Sequence, residues 1–119
     1  MSHDPPAATA AITLSHLSPE EGEAWIKKFP KHSAVSFAGE LTYAGYKDVP
    51  VAYLFCEEDL CIPPKLQRAG IEMMEKESGQ KVNVTSIKAD HCPNVTATQD
   101  VVNWIVDVAE KAKINRVVA

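Results

Sequence analysis

The stretch Asp48-Val49-Pro50-Val51-Ala52-Tyr53-Leu54-Phe55-Cys56-Glu57-Glu58-Asp59-Leu60-Cys61-Ile62-Pro63-Pro64 decides how this chain folds. Every residue from Val51 to Cys56 is apolar, a run of strand length that suits a strand covered on both faces in a parallel sheet. It predicts a strand over 50–56. Three carboxylates follow, Glu57, Glu58 and Asp59, and the Pro63-Pro64 pair then opens a helix. In open α/β sheets the carboxyl end of a strand is where ligands bind, so these acids stand where chemistry is expected.

Downstream, the helix opened by Pro63 or Pro64 is expected to carry Leu66, Gly70, Met73 and Glu77 on one face and to close at Ser78-Gly79, where glycine suits the C-cap. Val82 to Ala89 reads as a second strand. Asn83, Thr85 and Lys88 interrupt its apolar pattern, which suits an edge position. His91 follows it. Thr96 with Gln99 predicts the cap of a last helix that buries Val101, Trp104, Ile105, Val108 and Ala112 and ends near Lys113.

Upstream, Ser18-Pro19-Glu20-Glu21 is a compact helix start, with Ser18 as N-cap, Pro19 at the first helical position and Glu21 as capping-box partner. That helix is expected to reach about Phe29, with Ala24, Trp25, Ile26 and Phe29 as its apolar stripe. Residues 31–47 read as a helical turn followed by loop. Residues 1–14 and 114–119 are expected to be tails flanking one domain over 15–113. The class is α/β: a strand-helix-strand-helix unit preceded by a short helix. Two strands make a small sheet, and the second can pair only one edge of the first.

At 119 residues the chain is one domain by length. Its apolar content of 45%, charged content of 24% and net charge of −4 carry no electrostatic footprint for nucleic acid or anionic membrane. Neither partner is expected. Cys56, Cys61 and Cys92 are odd in number and sit in or beside predicted strands, which points to a reducing compartment and a cytoplasmic chain. Met1 to Ala11 lacks the basic and apolar regions of a secretory leader, so Asn83-Val84-Thr85 and Asn94-Val95-Thr96 read as chance matches to the glycosylation pattern.

Taken together, Leu17-Ser18-Pro19-Glu20-Glu21 through Trp25, Leu41-Thr42-Tyr43, Tyr46 to Val51, Cys56-Glu57-Glu58-Asp59 with Ile62-Pro63-Pro64, and Ala89-Asp90-His91-Cys92-Pro93 resemble the C-terminal half of an α/β-hydrolase-fold protein. The likeness is to the esterase-like group common in fungi and covers about Leu17 to Val108. It implies a partial α/β-hydrolase fold in which the first helix derives from a lid. It also implies that Asp59 is the triad acid and His91 the triad histidine. The family usually has glycine before that histidine and serine after it; here stand Asp90 and Cys92.

The nucleophile elbow, G-x-S-x-G or a small-residue variant, has no counterpart in this sequence. The nearest match is Ala34-Val35-Ser36-Phe37-Ala38-Gly39, but Pro30-Lys31-His32-Ser33 before it is no buried strand. A triad also needs its base within about 3 Å of the nucleophile. Glu57 and Glu58 read as a solvated strand end, and His3, His16 and His32 as surface residues. Cys56, Cys61, His91 and Cys92 converge on one end of the sheet, but their spacing is loose for zinc and adjacent side chains point apart. No metal or cofactor is expected. Cys92 is a poor nucleophile candidate because a cysteine adjacent in sequence to its base, here His91, rarely has room to be activated by it.

The expectation is a truncated α/β-hydrolase-like protein in which Asp59 orients His91 for acid-base work on a small apolar molecule, such as cyclisation or isomerisation of a secondary metabolite. The alternative is a binding or assembly module whose open sheet edge pairs with a second copy or with a chain supplying further strands.

Overall fold

The computed structural model describes residues 5–118. Two strands, β1 (Ala52–Cys56) and β2 (Asn83–Ile87), pair in parallel with Tyr53 opposite Val84 and Phe55 opposite Ser86. Helix α3 (Pro64–Ser78) makes the crossover between them. The chain is therefore mixed helix and strand around a two-stranded parallel sheet, as the apolar run of β1 implied.

Side chains alternate across the strands, so Phe55 lies on the face that α3 covers. Phe55, Ile71 and Val82 form a buried cluster there, flanked by Val51, Tyr53 and Met74. The buried stripe of α3 is Gln67, Ile71 and Met74, not the expected Leu66, Gly70 and Met73. The two stripes differ by one residue, or about 100° of helix rotation. Leu66 and Met73 are exposed. Gly79 ends α3 in the left-handed conformation, with φ of 71°, and its N–H bonds the Glu75 carbonyl.

The expected N-terminal tail is a helix instead. α1 (Pro6–Thr13) packs against α2 (Pro19–Ile26) as a helical hairpin. Ala10, Leu14 and Ile26 are buried between them, and Leu17, Phe29, Cys92 and Val95 pack around that cluster. An isolated helix this short is marginal in water, so burial of Ala10 and Leu14 stabilises what the weak local pattern did not reveal. Residues 1–4, part of the expected tail and containing His3, lie outside the described residues. Ser18 caps α2 as expected, its Oγ accepting the Glu21 N–H at 3.3 Å. The apolar stripe runs through Gly22, Ile26 and Phe29; Ala24 and Trp25 face outward, with Lys28 over the indole.

Beyond β2 come α4 (Pro93–Thr96) and α5 (Thr98–Val118). Thr96 does not cap α5: it lies inside α4, and its hydroxyl donates to Asp90 Oδ1 at 2.7 Å. The Val101 N–H bonds the Ala97 carbonyl, so α5 begins one residue later than the cap pattern suggested. Nor does α5 end near Lys113; it continues to Val118. Val101, Trp104 and Val108 are half-buried, but Ile105 and Ala112 are exposed. No helix of the described residues is long and apolar enough to cross a membrane.

Packing is sparse for the length. The radius of gyration is 16.5 Å, against about 13.5 Å for a compact domain of this size. Between the hairpin and β1, short turns at Val35–Phe37 and Gly45–Lys47 leave Val35, Phe37, Leu41 and Tyr43 exposed.

The hairpin gives a direct test. A Cβ on Gly22 would stand 3.1 Å from the Ala10 Cβ, so the helices touch there. Gly22→Val should overpack this contact and lower stability by about 1–3 kcal/mol in urea unfolding; an unchanged midpoint would mean that α1 does not dock on α2.

Candidate functional site

Parallel pairing sends both strands toward the same end of the sheet, so the loops that follow them converge. Asp59 lies three residues past β1 and His91 four past β2. Their side chains meet: His91 Nδ1 is 2.9 Å from Asp59 Oδ2. The other carboxylate oxygen, Oδ1, accepts the Cys61 and Ile62 N–H groups, each at 2.8 Å. Asp59 is thereby clamped from one side and offered to the imidazole from the other. It is buried, 6% exposed, while one third of the His91 side chain meets solvent.

A carboxylate oxygen accepts, so Nδ1 carries the proton in this contact and Nε2 is left with its lone pair. Among the described residues no hydrogen bond is made to Nε2. The pair can therefore take up a proton at Nε2 while Asp59 holds the ring in orientation and stabilises the charge that forms.

Three further residues, Asp90, His16 and Gln67, build the site in roles that the sequence did not assign them. Asp90, fully buried, accepts the Cys92 N–H and the Thr96 hydroxyl at Oδ1 and the His16 N–H at Oδ2. It ties the His91 loop to α4 and to the N-terminal hairpin. His16 also reaches Glu58, with Nε2 2.6 Å from Oε2. Glu58 is thus an exposed strand-end acid, as expected, but one with a partner. Gln67, 4% exposed, bonds the backbone of Cys56 and Ile62. Its spacing of four and seven from Ile71 and Met74 could have revealed it as a polar residue on the buried stripe.

Ser36 takes no part. Its hydroxyl donates to the Ser33 carbonyl at 2.8 Å and lies 3.4 Å from His32 Nδ1, all within one exposed turn.

Cys56, Cys61 and Cys92 are free thiols. Burial pushes the Cys92 thiol up from 9.0 to about 11, and the carboxylates of Asp90 and Asp59 add to the shift. Burial, then Asp59, raises Cys61 as well, and burial raises Cys56. Raised thiols are weak nucleophiles and poor ligands, because both roles need the thiolate. Among the described residues no group of three or more His, Cys, Asp and Glu side chains is placed to hold a metal ion.

An α/β unit with an acid and a histidine joined at the carboxyl ends of parallel strands is the class that fold and site define. No family model matches the chain. It is similar to a protein named Probable hydrolase R7 from the fungus Phoma sp. (strain ATCC 20986 / MF5453), 37% identical over 78 residues. The match covers 66% of this chain and 32% of that protein, so the chain spans about a third of the length of the curated relative it matches. That protein's name is of a probable hydrolase and its source is a fungus, in line with the fungal group that the sequence resembles.

The Cys92 shift fixes the sign of a pH effect. Between about pH 9 and pH 11 the folded thiol keeps a proton that the unfolded chain has lost. The folded state then binds more protons, so stability falls as pH rises through that window. Urea midpoints measured across it should decline, and Cys92→Ala should flatten the decline; an equal slope in both proteins would refute the assignment.

Proposed function

We propose that Asp59 and His91 are the acid-base pair of a partial α/β-hydrolase fold, acting on a small apolar molecule by proton transfer. His91 Nε2 is the base or acid, and Asp59 fixes the tautomer. Ordinary serine-ester hydrolysis is not expected of this chain alone, because no serine or cysteine hydrogen-bonds Nε2 among the described residues. Cyclisation or isomerisation of a secondary metabolite fits such a pair. The three free thiols are in keeping with a reducing compartment such as the cytoplasm.

One observation carries the reading. The 2.9 Å contact is made by a carboxylate whose second oxygen is already committed to two backbone amides, which orients the imidazole for chemistry at its far nitrogen.

A suitable probe is 5-nitrobenzisoxazole, whose isoxazole ring opens when a base removes the proton on C3. The proton passes to His91 Nε2, the C–H electron pair forms the nitrile, and the N–O bond breaks to give the phenolate. Turnover should fall by about 100-fold in His91→Ala, and Asp59→Asn should fall between that variant and the parent. Undiminished turnover in a folded His91→Ala protein would overturn the proposal.

A second reading is favoured by the edge of β1. The Asn83 N–H bonds the Val51 carbonyl and the Glu57 N–H bonds the Ile87 carbonyl, so the odd-numbered residues of β1 face β2. The peptide groups of Ala52 and Leu54 consequently point to the open edge. Such an edge fits strand addition by a second copy or by a chain carrying further strands. Light scattering on the purified chain should give twice 13.0 kDa if the occupant is a second copy; a monodisperse monomer would exclude self-pairing.

A further inference from the structure

We propose that Gln67 is a positioning residue for the Asp59–His91 pair, a role that rests on reading the pair as the acid-base site. Gln67 stands in the first turns of α3, its side chain buried against the open edge of β1. Its Nε2 donates to the Cys56 carbonyl at 2.8 Å and to the Ile62 carbonyl at 2.9 Å. Its Oε1 accepts the Cys56 N–H at 3.1 Å and lies 3.5 Å from the Tyr53 hydroxyl. Both amide hydrogens and the carbonyl oxygen are in use.

Two consequences follow from which groups these are. Cys56 is an even-numbered residue of β1, so its N–H and carbonyl point away from β2 to the unpaired edge. The Gln67 carboxamide supplies one donor and one acceptor to that residue, as a neighbouring strand would. It therefore ends the open edge at Cys56 and leaves Ala52 and Leu54 for any added strand.

The second consequence concerns the site. Cys56 and Ile62 are the two ends of the loop that carries Asp59, and one side chain grips both. Ile62 is held twice, its carbonyl by Gln67 and its N–H by Asp59 Oδ1. The helix start, the strand end and the carboxylate thus form a closed frame, and Oδ2 is the one polar atom of that frame directed at His91. Without the Gln67 amide, the Cys56 carbonyl keeps only the longer 3.4 Å contact with the Asp59 N–H, the Ile62 carbonyl loses its donor, and the loop must rearrange to find others. Asp59 moves with it.

The test reads the imidazole itself, so it does not depend on turnover. Long-range ¹H–¹⁵N spectra of the full chain report which ring nitrogen of neutral His91 carries the proton. In the parent this is Nδ1. Gln67→Met, nearly isosteric but without the donors, should lower the ratio of Nδ1–H to Nε2–H tautomer by about tenfold. Ile71→Val, which loosens the same helix-sheet contact elsewhere, should leave the ratio as in the parent. An unchanged ratio in Gln67→Met, or an equal fall in Ile71→Val, overturns the proposal. Gln67→Asn, which keeps the amide but shortens its reach, is read by the same criteria if the methionine variant does not fold. If His91→Ala retains turnover on the benzisoxazole while Gln67→Met still shifts the tautomer, the acid-base reading fails and the positioning role of Gln67 stands.

Discussion

The parallel register of β1 against β2 is the constraint on which the rest depends. Parallel strands end on the same side, so a residue three places past one and a residue four places past the other are delivered to one locality. An antiparallel pairing of the same strands would send Asp59 and His91 to opposite ends. The crossover that parallel pairing requires is α3, and its buried stripe supplies both the apolar contacts of Ile71 and the amide of Gln67.

Around this register the polar groups are unusually well matched for so small a sheet. Asp59, Asp90 and Gln67 are all buried, and each has its oxygens or amide hydrogens engaged by backbone groups or by a side chain. A buried carboxylate without donors would cost several kcal/mol, which is why these side chains fix loop geometry as well as filling space. The same low-polarity surroundings hold the nearby thiols in their protonated form. Carboxylate orientation is thus favoured at this end of the sheet and thiolate chemistry is opposed.

Much of the framework was legible because it rests on local signals. The apolar run 51–56, the Pro-Pro pair, Gly79 and the Ser18 cap each state their structure within a few residues. The N-terminal helix was not legible, since Ala10 and Leu14 gain their stability from Gly22 and Ile26 on the next helix. Thr96 has a cap residue's spacing to Gln99, yet its hydroxyl is taken by Asp90, a buried acceptor that outcompetes a helix end. On α3 the stripe was misread by one residue because Leu66 and Met73 are more apolar than Gln67. Hydropathy ranks residues by their cost in an apolar medium, and that cost vanishes when the carboxamide finds three backbone partners.

The sequence alone determined that one strand would end in a cluster of acids, that a helix would follow, and that His91 would come after a second strand. Period, proline and glycine positions carry that information, being properties of the chain a few residues at a time. The resemblance already singled out Asp59 over Glu57 and Glu58; only the tertiary structure decided how closely Asp59 meets the imidazole, and that Asp90 and Gln67 hold the frame. Those choices depend on distances between segments remote in sequence, which local propensity does not encode.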